Sequence, residues 1–245
     1  MRAGLRVDSI FSGGENELAG LGDRAGAIDL FLVPRDDLKS VLATESPQLV
    51  AALIEPPNWT WAHLLDSKEG SMALIVMLAG IQDPGNLGTI VRSAEAFGAA
   101  GVVCLPGTVN AWNQKAMRAS AGSVFRMPVL HVDEAEAFEH MQMAGVRVLT
   151  TAVERGQAAH LADLAGPVAL VIGNEGKGVP VELARKADGA VTIPCPGPVE
   201  SLNAAVAASV LLYEATRQRA SARDRTGTRK RGLKDNGPSP RGGGR

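Results

Sequence analysis

Apolar positions along the chain fall into short runs punctuated by glycine and proline, and their spacing changes near residue 71. Before that point the runs are brief. Val7 to Phe11 ends at Gly13-Gly14, Asp29 to Val33 meets Pro34, and Leu49 to Ile54 stops at Pro56-Pro57. A helix is expected from Arg35 to Thr44, where Asp36 and Asp37 suit the positive N-terminal end of a helix. Three short strands and one helix predict a small α/β unit over residues 1–57. Met1-Arg2-Ala3-Gly4 reads as the end of a helix, so the unit is expected to be incomplete at its N-terminus. Residues 58–70, with Trp59 and Trp61, lack periodicity and are expected to form a linker.

From Ser71 the units lengthen and alternate. Ala73 to Ala79 is almost wholly apolar, as a strand covered on both faces must be. Further strands are expected at Gly101–Leu105, Arg147–Ala152, Val168–Gly173 and Ala190–Ile193. Helices are expected at Leu87–Phe97, Asn113–Ser120, Asp133–Ala144, Val181–Ala187 and Ser201–Arg219. Such alternation predicts an α/β fold, a mostly parallel sheet with helices on both faces. Ligands then bind at the carboxyl ends of the strands. From Ser221 onward Arg, Gly, Ser and Pro dominate without period, which predicts a disordered basic tail over 221–245.

Composition narrows the class. With 245 residues, 45% hydrophobic and 21% charged, the chain can bury a core. No apolar run reaches the roughly 18 residues of a membrane span, and no secretory leader is legible at the N-terminus. Two cysteines, Cys104 and Cys195, make no disulfide scaffold, and none of His63, His131, His140 and His160 shows ligand spacing. A cytoplasmic protein without membrane or metal is expected. The net charge of −1 hides an asymmetry. From Arg217 onward there are ten Lys or Arg against two Asp, a charge of +8, so the rest of the chain carries −9.

Three strand-end loops could carry chemistry. In Gln82-Asp83-Pro84-Gly85-Asn86-Leu87-Gly88, Pro-Gly reads as a turn and Asn86 as the cap of a helix that presents Arg92. In Gly173-Asn174-Glu175-Gly176-Lys177-Gly178, three glycines point to close backbone approach, but the spacing fits neither a phosphate-binding P-loop nor a dinucleotide fingerprint. In Ile193 to Asn203, prolines at 194, 196 and 198 stiffen the approach to a small-residue helix that Ser201 is placed to cap. Each loop alone is open to a purely structural reading: a solvated arginine, a tight turn, a simple cap.

Taken together and in this order, Asp83 through Arg92, Ile172 through Gly178, and Ile193-Pro194 through Glu200-Ser201-Leu202-Asn203 resemble the three motifs of the SpoU (TrmH) branch of the SPOUT methyltransferases. Arg118-Ala119-Ser120-Ala121-Gly122 is similar to the segment that the family carries between its first two motifs. The resemblance spans about residues 71–219. More loosely, residues 1–57 resemble the small substrate-binding domain that many members carry in front.

The resemblance implies S-adenosylmethionine-dependent methylation of a ribose 2′-hydroxyl in RNA, with ribosomal RNA favoured over transfer RNA. It implies a C-terminal trefoil knot, an exception to the usual absence of knots, and a homodimer. It assigns catalysis to Asn86, Arg92, Glu175, Ser201 and Asn203. Cofactor binding falls to Thr150, Gly173, Gly178, Ile193, Leu202 and Asn203, and RNA contact to Arg92, Lys115, Arg118 and Arg126. The +8 tail would add a salt-sensitive electrostatic arm. The competing readings are a catalytically silent RNA-binding homologue and an unrelated dinucleotide-using α/β enzyme.

Overall fold

The computed structural model describes residues 5–18, 28–42, 48–65, 72–153, 155–198 and 201–232, with side chains to Arg223. The expected helix end at Met1–Gly4, the expected helix terminus at Thr44, the linker over 66–70, Val199-Glu200 and the tail over 233–245 lie outside these residues. Contacts divide the chain into two units, Met1–Trp59 and Thr60–Arg245.

The first unit holds β1 (Val7–Ser12), β2 (Asp29–Leu32), α1 (Arg35–Val41) and β3 (Val50–Ile54). The strands lie in the order β2-β1-β3, with β1 parallel to β2 and antiparallel to β3. Ile10, Ser12, Leu38 and Leu49 are its buried side chains beside Ser9, a small core.

The second unit begins with α2 (Trp61–Leu65), inside the stretch expected to be a linker. Three side-chain contacts hold α2 to this unit. Trp61 stacks on His140 at 4.3 Å and donates from Nε1 to Glu136 at 2.7 Å, and Leu64 packs against Gly101. Seven strands follow: β4 (Leu74–Ala79), β5 (Gly101–Cys104), β6 (Val129–His131), β7 (Arg147–Thr151), β8 (Gln157–Ala158), β9 (Val168–Gly173) and β10 (Gly189–Thr192). They form one sheet in the order β6-β5-β4-β9-β7-β10-β8, and every pair is parallel. β6 and β8 were not expected; three and two residues are too short to show a period.

The helices are α3 (Pro84–Ala96), α4 (Gln114–Ala119), α5 (Glu134–Met143), α6 (Val181–Lys186) and α7 (Ala204–Gly232). Leu74, Val76, Leu78, Val168, Leu170 and Ile172 join one core with residues of α3 and α7. The alternate positions Ile75, Met77, Ala169 and Val171 point to the other face and are buried as well. Burial on both faces is what the unbroken apolar run of β4 encoded.

Three expectations about helix ends need correction. α3 starts at Pro84, not Leu87. Proline is favoured in the first helical turn, where its missing N–H costs nothing, and Asp83 Oδ1 caps the helix by accepting from Gly85 N at 3.0 Å. Asn86 is therefore not the cap. At the other site the cap is Asn203, whose Oδ1 accepts from Ala205 N at 2.9 Å and Val206 N at 3.3 Å, rather than Ser201. Finally, α7 does not stop at Arg219. It continues to Gly232 through residues expected to be disordered.

Candidate active site

The sheet brings the three loops to one end of β4, β9 and β10. The second loop is a tight turn closed by paired backbone bonds between Asn174 and Gly178, at 3.1 and 2.8 Å. Gly178 has φ +67, and a Cβ on Gly173 would overlap the Gly178 carbonyl carbon and Val179 N, so this packing requires glycine at 173. Asn174 locks the turn. Its Oδ1 accepts from Gly176 N and Lys177 N, while its Nδ2 donates to the Gly80 carbonyl at the end of β4. Asn174 was missed by sequence reasoning, although an Asn beside a glycine turn is a common side-chain-to-backbone lock.

Asn86, set free by the true position of the cap, joins all three loops. Its Oδ1 accepts from Asn203 Nδ2 at 3.1 Å, and its Nδ2 donates to Glu175 Oε1. The amide orientations follow from supply and demand. Asn203 Oδ1 is committed to the helix cap, so only its Nδ2 can face Asn86. Asn86 then has its own Nδ2 left for the carboxylate. Asn203 thus caps α7 and starts a chain Asn203–Asn86–Glu175.

Beside this chain lies a cleft of about 560 Å³. Its floor and walls are Ile172 to Gly178 from the second loop, Thr192 to Cys195 after β10, Ser201, Leu202 and the start of α7, with Thr151 to Val153 after β7. Gly173, Gly178, Ile193 and Leu202, expected at the cofactor, all line it, and so do Glu175 and Ser201. Asn203 and Asn86 stand in the hydrogen-bonded chain rather than in the lining. Thr150 does neither. It is 3% exposed and donates to the Gly189 carbonyl at 3.3 Å; strand alternation turns it inward and gives its place to Thr151 and Ala152.

The basic groups expected at RNA separate into two kinds. Arg92 on α3 and Arg118 on α4 are exposed, with no ion pair among the described residues. Lys115 Nζ is bound to Asp83 Oδ1 at 2.9 Å, and that hydrogen bond holds the Asp83 carboxyl below the usual carboxylate range. Arg126 forms a fork with Glu95 through two bonds of 2.7 Å, which lowers the Glu95 carboxyl from its ordinary value. Arg126 therefore ties the turn at Ser123–Phe125 to α3 more than it faces solvent anions. α4 can lie this close to α3 because Gly88 has no Cβ to strike the Ala116 carbonyl. Between these groups Ala121 adopts φ 48, a left-handed conformation that costs energy in a residue other than glycine.

The SpoU rRNA Methylase family model matches residues 73–213, and the chain belongs to this family. It is 35% identical over 191 residues to the 23S rRNA (guanosine(2553)-2′-O)-methyltransferase RlmP of Bacillus subtilis, covering 78% of this chain and 74% of that protein. It is 39% identical over 201 residues to an uncharacterized tRNA/rRNA methyltransferase of Mycolicibacterium vanbaalenii, covering 80% of this chain and 63% of that protein. The fold is similar to the SpoU methyltransferase AviRb of Streptomyces viridochromogenes, solved in complex with AdoMet. The TM-score is 0.80 at 29% identity, over 90% of this chain and 86% of that one. No helix among the described residues is long and apolar enough to cross a membrane.

Proposed function

We propose that this chain methylates a ribose 2′-hydroxyl of ribosomal RNA with S-adenosylmethionine. The observation that carries the reading is the Asn203–Asn86–Glu175 chain at the rim of a glycine-walled cleft, in a member of the SpoU family. The ribosomal preference draws on the 23S rRNA activity in the name of the Bacillus relative. The chain spans just under two thirds of the mycobacterial relative, so substrate choice by the whole protein belongs to the proposal.

The cleft fits the cofactor on its own terms. It offers backbone N–H and C=O groups from two loops, a glycine turn packed too closely for a Cβ at Gly173, and few charges. Gly173, Gly178, Ile193 and Leu202 would hold it there. When bound, S-adenosylmethionine supplies an electrophilic methyl group on a sulfonium.

The protein's task is then orientation and charge stabilisation. Glu175, held by Asn86, presents an acceptor at the cleft rim toward the ribose. Arg92 offers its guanidinium to the RNA phosphate and to the oxyanion that develops on the hydroxyl. An arginine holds its proton at neutral pH and is a poor base, so stabilisation is the role its chemistry favours. Ser201 keeps the third loop against the cleft, and Arg118 extends the basic surface. In the front unit, the half-exposed Phe31 stacks on Phe11 at 5.3 Å, a ring on which an unpaired base could lie.

The trefoil knot is part of the same reading. A homodimer is proposed through α7, where Val206, Val210 and Tyr213 form a stripe and are 48%, 39% and 57% exposed. Calorimetry with S-adenosylmethionine and mass by light scattering test cofactor and dimer together. Micromolar 1:1 binding by a dimer is expected; no heat of binding would favour a silent homologue.

A further inference from the structure

We infer that the end of α7, residues 220–232, is an RNA-binding arm that grips the substrate far from the reacting nucleotide. The inference rests on the RNA-methylation reading above. It implies that the preferred substrate is an extended folded RNA rather than an isolated loop.

The direction of α7 is the first observation. The helix starts at Asn203 in the site chain, at the loop end of the sheet. Sixteen residues later Arg219 reaches the opposite end, donating to the carbonyls of Met72 at 2.5 Å and Ala73 at 3.1 Å, just before β4. It also donates to Leu164 at 3.2 Å and Gly166 at 2.6 Å, before β9. At a rise of about 1.5 Å per residue, Arg219 lies roughly 24 Å from Asn203 and Gly232 roughly 43 Å. The residues past Ala220 therefore project from the end of the sheet that is away from the cleft.

The second observation is how the charges are used. Arg217 is paired with Glu214 through two 2.8 Å bonds, and Arg219 is spent on four carbonyls. The first two cations of the basic end thus belong to the fold. From Asp224 to Gly232 the sequence places four Lys or Arg (Arg225, Arg229, Lys230 and Arg231) against a single Asp, on backbone that is still helical. The residues before Arg217 carry −9 and would repel a polyanion, whereas this segment attracts one. A chain whose substrate is RNA has a polyanion at hand, which favours RNA over a lipid surface as the occupant.

The test compares the full chain with two variants. One stops after Ala222, which keeps the Arg219 contacts. The other, Arg225→Gln with Arg229→Gln, Lys230→Gln and Arg231→Gln, keeps the length. Each is measured for affinity to an unmodified 23S ribosomal RNA transcript across salt concentrations. Each is also assayed for methylation of that transcript and of a hairpin trimmed to the methylated loop, and for cofactor affinity by calorimetry. Both variants are expected to bind the transcript at least about tenfold more weakly at low salt, with the slope of log K against log salt reduced by about three in the four-residue variant and by at least as much in the truncated one. KM for the transcript rises, while KM for the hairpin and cofactor affinity stay unchanged. An unchanged salt slope would overturn the inference, as would equal losses on hairpin and transcript. Intact RNA binding with lost association to anionic vesicles would assign the arm to membranes and overturn it too. If the full chain methylates neither RNA while the salt slope still depends on the arm, the catalytic reading fails and the arm stands.

Discussion

Asn203 Nδ2 donates to Asn86 Oδ1 at 3.1 Å across 117 positions of sequence, and that bond ties the start of α7 to the first turn of α3. Because Asn86 passes its own Nδ2 to Glu175, one amide fixes the relative positions of three loops. Replacing it by Asp keeps the acceptor for Asn203 but sets a second carboxylate against Glu175. Asn86→Asp should lower the methylation rate at pH 8 by about a hundredfold, the scale of a misplaced catalytic group. Part of the loss should return at pH 6, because a proton shared between two facing carboxylates restores a donor. Rates measured at both pH values check this; wild-type activity at pH 8 would remove Asn86 from the account.

Gly173 has no room for a methyl group against Gly178 and Val179. Gly173→Ala should cost about 1–3 kcal/mol or more through overpacking and abolish cofactor binding, read by thermal melting and calorimetry. Gly197→Ala is the control. Nothing lies within 4 Å of the Cβ it would add, and it should melt as the wild type does.

Arg219 satisfies four carbonyls with one half-buried guanidinium, and Gln218 beside it binds Leu164 N at 2.9 Å and the Ala162 carbonyl at 3.0 Å. Arg219→Ala strands several of those carbonyls and should destabilise the second unit by about 2–4 kcal/mol. Arg219→Lys, with a single ammonium and no planar fork, should recover only part of the loss. Denaturant melts of the three proteins give the order directly; equal midpoints would contradict the clamp.

The two cysteines should react very differently. Cys195 is exposed in the cleft wall, whereas burial pushes the Cys104 thiol up to about 12. At pH 8 Cys104 therefore stays protonated as well as covered. Mass spectrometry after alkylation should find one modification, at Cys195, and saturating S-adenosylmethionine should slow it severalfold. Alkylation of Cys195 at the same rate with and without cofactor would move the cofactor away from this wall.

Much of this was legible in the sequence, and the gaps have physical causes. The strands β4 and β9 could be read because burial on both faces leaves an unbroken apolar run, and the glycine turn after β9 announced its close packing. The start of α3 was misread because Pro84-Gly85 signals a turn as readily as a first helical turn. Asn86 was assigned to the site, but its bonding partners, 89 and 117 residues away, could not be read from the sequence. Thr150, implied by the family resemblance, yields its place in the cleft to Thr151 and Ala152, because strand phase, which decides the lining residue, is set by the sheet. Lys115 and Arg126 look like free cations in sequence; only packing shows the carboxylates that hold them.

The most direct test of the central claim is to incubate the protein with labelled S-adenosylmethionine and unmodified 23S ribosomal RNA or transfer RNA, and then map 2′-O-methyl groups. Arg92→Ala serves as the comparison. The account predicts one dominant ribose methylation in ribosomal RNA. That signal should disappear in Arg92→Ala, while cofactor affinity and dimer mass are retained. Label on a base, label confined to transfer RNA, or near-normal turnover by Arg92→Ala would contradict it.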